Sequence, residues 1–155
     1  MNAGMVLQFT HVAPDAETAP GFLTYSLLTT TTGATLNAIS GVFTWRPVVA
    51  QAGTMNLFNI VVADTGSPFQ TATHPFTLTV NSLAEVCVSA AGISNGLFRL
   101  SITGDLGPDS TVQASTNFTT WTNVSVTNSP ALPLNWTDPG ASNVFQRFYR
   151  VLLGP

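Results

Sequence analysis

Apolar and polar residues alternate with a period of two through most of the chain, the pattern of strands that bury one face. Leu7, Phe9 and His11 alternate with Gln8 and Thr10, and Leu23, Tyr25 and Leu27 alternate with Thr24 and Ser26. A threonine run, Thr29 to Thr32, reads with Gly33 as a loop into a short strand over 34–37. Ser40-Gly41 signals a turn, after which Phe43 and Trp45 face one way and Thr44 and Arg46 the other. Pro47 has no N–H to offer a ladder and ends that strand. Phe58, Ile60 and Val62 alternate with Asn59, Val61 and Ala63 up to the turn Asp64-Thr65-Gly66-Ser67-Pro68, and Phe76, Leu78 and Val80 alternate with Thr77 and Thr79. No stretch carries a sustained i, i+3, i+4, i+7 stripe, so the chain reads as all-β, built of small sandwiches.

The character changes between Ser82 and Gly96, where small residues surround one short β-prone run, Val86-Cys87-Val88. A boundary near Ser82 predicts two tandem units, 1–82 and 83–155. The second unit continues with Phe98, Leu100 and Ile102 alternating with Arg99 and Ser101, then Thr111 to Ala114, Trp121 to Thr127 and Leu132 to Trp136. Asp138-Pro139-Gly140 punctuates the approach to a final run from Phe145 to Leu153. In that run Phe145, Tyr149, Val151 and Leu153 fall on one face and Phe148 and Leu152 on the other. A strand apolar on both faces is expected to be central in its sandwich or covered by another chain.

Composition narrows the function classes. Of 155 residues, 45% are hydrophobic and only 7% are charged; the four basic residues are all arginine, and the formal net charge is −3. Such a chain has material for a core and none of the basic clustering that a nucleic-acid surface needs. No run of 18 apolar residues predicts a membrane span. Residues 1–5 lack the charged and apolar regions of a secretory signal, so a secreted protein with this sequence would be a mature form, a fragment or a mis-started reading frame. Three glycosylation sequons begin at Asn117, Asn123 and Asn135, a number expected by chance in so Asn- and Thr-rich a chain.

Candidate chemistry is sparse. His11 and His74 are the only histidines, and with Asp15 or Asp64 they lack the spacing of a metal or acid–base motif, reading instead as strand-end residues. The lone Cys87 reads as a small buried hydrophobe. No nucleophile elbow, phosphate loop or close pair of carboxylates is present, so neither an enzyme nor a cofactor is expected. Trp45, Trp121 and Trp136 are candidates for stacking on sugar rings, although core packing is the ordinary role of a tryptophan.

Leu23-Thr-Tyr-Ser-Leu, Gly33-Ala-Thr-Leu-Asn, Gly41-Val-Phe-Thr-Trp-Arg-Pro, Val62-Ala-Asp-Thr-Gly-Ser-Pro and Phe76-Thr-Leu-Thr-Val, in that order over residues 5–81, resemble bacterial immunoglobulin-like domains of the cadherin-like group. Residues 97–155 are similar to a small carboxyl-terminal β-module of secreted bacterial multi-domain proteins, through Phe98-Arg-Leu-Ser-Ile-Thr-Gly, Thr111-Val-Gln-Ala-Ser-Thr, Trp121-Thr, Trp136-Thr-Asp-Pro and Arg147-Phe-Tyr-Arg-Val. The resemblance implies an extracellular or cell-surface location and adhesive or spacer duty. Two departures stand out. Such domains usually begin with a strand before the position of Val6, and its absence would leave an edge of unpaired backbone groups. Calcium-binding relatives use several carboxylates, of which only Asp64 has a counterpart here, so Asp64 reads as a turn residue rather than a calcium ligand.

These features lead to a non-catalytic structural or adhesive protein that self-associates, into a fibre or surface layer, through β-edge pairing and apolar contact. The residues expected at that interface are Val6, Phe148, Tyr149, Val151 and Leu153. The alternative is a carbohydrate- or protein-binding accessory module of a larger secreted protein, with polysaccharide as a partner.

Overall fold

The computed structural model describes residues 1–13, 23–28, 30–66, 68–95 and 97–155. Asp15, Thr29, Ser67 and Gly96 lie outside them. The described strands are β1 (Leu7–Thr10), β2 (Thr24–Leu27), β3 (Ala34–Leu36), β4 (Val42–Trp45), β5 (Met55–Ala63), β6 (Thr71–Thr79), β7 (Cys87–Ser94), β8 (Leu97–Thr103), β9 (Asp109–Ser115), β10 (Thr122–Thr127), β11 (Leu134–Asp138) and β12 (Phe148–Gly154). They form four antiparallel three-stranded sheets, in the orders β1-β4-β3, β2-β5-β6, β11-β8-β7 and β10-β9-β12. The fold is all-β and sandwich-like, as the alternation predicts.

In the amino-terminal half the inward residues of the first two sheets meet in a cluster of rings. Phe43 lies 5.1 Å from Phe9, 5.1 Å from Phe58 and 5.3 Å from Phe76, centroid to centroid, and Trp45 lies 5.0 Å from Phe58. Phe43, Trp45, Phe58 and Ile60 are fully buried. Most of these pairs are edge-on or tilted, the arrangement the ring quadrupole favours, worth about 0.5–1.5 kcal/mol each beyond area burial. The buried indole Nε1–H of Trp45 donates to the Thr32 carbonyl at 3.0 Å, so no donor is stranded.

The second half has its own cluster, with Leu100, Ile102 and Val112 buried and Phe98, Val124, Trp136, Tyr149 and Val151 packed around them. Its polar anchor is Asp138, which is 2% exposed. The Tyr149 hydroxyl donates to one carboxylate oxygen at 2.7 Å, the Gly140 N–H donates to the other at 2.8 Å, and Arg147 Nε lies 3.2 Å away. Burial, then the bond to Asp138, push the Tyr149 phenol well above its ordinary pKa. The Asp-Pro-Gly turn signal therefore also holds β12 onto the core.

A joint ties the halves together. Arg46, immediately after β4, donates from Nε to the Gly4 carbonyl at 2.7 Å and from Nη2 to Asp109 at 2.7 Å. Asp109 also accepts the Ser129 N–H at 2.8 Å, and Val49 N–H donates to the Pro155 carbonyl at 2.7 Å. Gly4 (φ +76°) and Gly107 (φ +121°) sit backbone to backbone, and a Cβ on either would collide with the other segment's carbonyl.

Four expectations need correction. The short β-prone run 86–88 grows into β7, which spans eight residues and is carried past Gly92 by a bulge at φ +95°. Cys87 is exposed, because β7 is an edge strand, and not buried. His74 stands mid-strand in β6 rather than at a strand end. Finally, among the described residues β12 is an edge strand paired with β9 alone; Tyr149 and Val151 face the core, while Phe145 precedes the strand and is fully exposed. On its outer face Phe148 is covered by the loop 116–121, which folds Phe118 onto it at 3.6 Å between ring centroids, whereas Leu152 stays exposed.

Truncation should separate the two halves' anchors. Phe58→Ala is expected to lower unfolding free energy by about 3–5 kcal/mol. Tyr149→Phe, which leaves a buried carboxylate short of one donor, is expected to cost about 1–3 kcal/mol. Urea titration followed by tryptophan fluorescence measures both, and a Tyr149→Phe loss equal to that of Phe58→Ala would contradict the modest role given to the hydroxyl.

Candidate functional site

The features that set this surface apart begin with the outer edge of β6. In the order β2-β5-β6 its far side faces no strand among the described residues. At its carboxyl end the Met1 amino group donates to the Thr79 carbonyl at 3.1 Å, and Asn81 N–H donates to the Met1 carbonyl at 2.8 Å. That pair of bonds is a parallel bridge opposite Val80. Val80 itself bonds back to Thr54 and Gly53. Because strand groups alternate sides and the β5–β6 register is unbroken, Thr71, Thr73, Pro75, Thr77 and Thr79 aim their main-chain groups at the open edge. Pro75 falls in this outward set, the place where a missing N–H breaks no ladder.

Alternate side chains of β6 turn toward the facing sheet. Phe76 stacks on Phe58 at 5.3 Å, Leu78 packs on the first core, and His74 stacks on His11 at 4.9 Å. His11 follows β1, the edge of the facing sheet, with its N–H donating to the Gly41 carbonyl at 2.8 Å and its ring edge-on to Tyr25. The imidazole pair thus clasps the two sheets along the open side. Burial, then the neighbouring His74, hold the His11 pKa below its ordinary value.

Asp64 behaves as a turn residue, its Oδ1 accepting the N–H groups of Gly66 at 3.2 Å and Gln70 at 2.9 Å. Of the five residues expected at an interface, Val6 is exposed beside the joint, lining a cleft with Met5, Arg46, Leu106 and Ser129. Phe148 lies on the outer face of β12 under Phe118, Tyr149 and Val151 pack inward, and Leu153 is half-buried opposite Ser110. The structure does not bring the five together on one face. Of the three tryptophans, Trp45 is buried and Trp136 packs on the second core, whereas Trp121 lies on the outer face with the Arg150 guanidinium 4.3 Å over its ring.

Sequence reasoning missed that outer face. Its cross-strand row is Asn123, Gln113 and Arg150, with Arg150 Nε donating to Gln113 Oε1 and Gln113 Nε2 to Asn123 Oδ1, both at 2.7 Å. The alternation of Phe148, Arg150 and Leu152 against Tyr149 and Val151 was the available signal. The chain matches no family model, no curated protein and no solved structure.

The histidine clasp makes stability pH-dependent. A base whose folded pKa is depressed binds protons more readily in the unfolded chain, so its contribution is constant above about pH 6.5 and is lost as pH falls below that value. Thermal unfolding midpoints are expected to drop between pH 7.5 and 5. His74→Gln, which removes the like-charge neighbour, should make that drop shallower, and an unchanged slope would contradict the clasp. Asp109 acts lower: its bond to Arg46 depresses its pKa, so the joint weakens only in the carboxylate range.

Proposed function

We propose that this is a non-catalytic, extracellular, immunoglobulin-like structural or adhesive protein whose copies associate by adding a strand to the open edge of β6. The observation that carries the reading is that edge: a nine-residue strand whose main-chain groups from Thr71 to Thr77 face outward with no neighbouring strand among the described residues. Main-chain bonding of this kind supplies affinity without requiring charged side chains. Pro75 limits the ladder, so an incoming strand bonds on either side of it, to Thr77 or to Thr71 and Thr73.

A sparsely charged surface supports the same reading, because copies repel weakly and lose little hydration on contact. Four of the seven carboxylates are also committed to structure. Asp64 closes a turn, Asp105 accepts the Ala84 N–H at 2.7 Å, Asp109 holds the joint, and Asp138 is buried under Tyr149. If successive copies meet head to tail and the rotation does not close, the product is a fibre.

Light scattering after size exclusion tests this. The wild-type chain is expected to form species larger than 16.3 kDa as concentration rises. Thr77→Lys, which places a charge on the edge without touching the core, is expected to remain monomeric with an unchanged melting midpoint. A wild-type monomer at every concentration, or assembly undiminished by Thr77→Lys, would overturn the proposal.

A further inference from the structure

The outer face of the sheet β10-β9-β12 carries a second surface, independent of the β6 edge. Its middle row is Asn123, Gln113 and Arg150, bonded to one another across three strands. On one side of that row lies a group of aromatic rings. Phe118 is 62% exposed and stacks on Phe148, and Trp121 sits under Arg150 with its Nε1–H donating to the Phe118 carbonyl at 3.0 Å. The fully exposed Phe145 is held beside the same loop by its neighbour Gln146, whose Nε2 donates to the Thr116 carbonyl at 3.1 Å.

The loop that presents Phe118 is both strained and held. Phe118 has φ +62°, the left-handed region that a bulky side chain rarely adopts. It is kept there by Asn117, whose Oδ1 accepts the N–H groups of Thr119 at 3.0 Å and Thr120 at 2.9 Å. A fold that spends backbone strain to put an aromatic ring into solvent is pointing to a use for that ring.

We infer that this face binds a polysaccharide strand, one pyranose ring lying flat on Phe118 while hydroxyls of the adjoining rings bond to Arg150 and Asn123. The C–H face of a sugar meets the negative face of an aromatic ring favourably. Its hydroxyls are both donors and acceptors, matching the guanidinium N–H groups and the Asn123 amide. No carboxylate pairs with Arg150 among the described residues. Covering the face with an apolar protein surface would therefore bury an unpaired cation and the amide row, whereas a hydroxyl-rich ligand satisfies them. The face is an open sheet rather than an enclosed pocket, which suits an extended polymer.

The test is native gel electrophoresis of the full chain through gels containing hydroxyethylcellulose, glucomannan or xylan. Retardation relative to a sugar-free gel is expected in at least one polymer, with apparent affinity reduced on the order of tenfold or more by Phe118→Gly. Glycine relieves the left-handed strain, so that variant is expected to fold. Phe69→Ala, which removes an equally exposed ring from the other half of the chain, should leave the retardation unchanged. Mobility unaffected by all three polymers, or retained by Phe118→Gly, would overturn the inference. So would a wild-type dimer that Phe118→Gly converts to monomer, since a second copy would then occupy the face. Thr77→Lys leaves this surface intact, so sugar binding and edge-mediated assembly fail separately.

Discussion

The ring cluster around Phe43 is the constraint on which the amino-terminal half depends. With so few charges available, the two sheets are held by rings from β1, β4, β5 and β6, packed edge-on, tilted and stacked. Phe76 has to point inward to join them, and because side chains alternate along a strand, the register of all of β6 follows from that one placement. The threonines and Pro75 are left toward solvent and the open edge. The geometry of the core thus decides what the edge offers to another strand.

Arg46 performs the equivalent task between the halves. It is one of four cations in the chain, and its guanidinium is divided between a carbonyl of the first segment, a carboxylate of β9 and the Ser129 hydroxyl. The close approach of Gly4 and Gly107 makes those bonds short. Asp138 with Tyr149 and Arg147 repeats the scheme inside the second half. Arg46 with Asp109 thus fixes segments distant in sequence, while the outer face of β12 keeps one cation, Arg150, among amides and rings.

Strands with large alternating residues were legible from sequence, since Phe43 and Trp45, or Phe58, Ile60 and Val62, announce a buried face directly. β7 was not, because Ser89, Ala90 and Gly92 carry no apolar alternation and the bulge at Gly92 breaks the period of two. The two-sided apolarity of β12 misled for a physical reason. Period-two reasoning sees only sheets, and here Phe148 is covered by a loop more than 25 residues earlier in the chain. The stacking of His11 on His74, and the bridging of Met1 to β6, are contacts across more than 60 residues that no local pattern encodes. The outer aromatic face was half legible: Trp121 was singled out as a residue type, but its pairing with Arg150 and the exposure of Phe118 depend on the loop conformation.

Amide hydrogen exchange of β6 as a function of protein concentration tests the central claim most directly. The Thr73 and Thr77 amides, which face the open edge, are expected to exchange rapidly in dilute solution and to become protected as concentration rises. The amides of Phe76 and Leu78, bonded toward β5, should stay protected throughout. Fast exchange at Thr73 and Thr77 in concentrated samples would contradict strand addition at this edge.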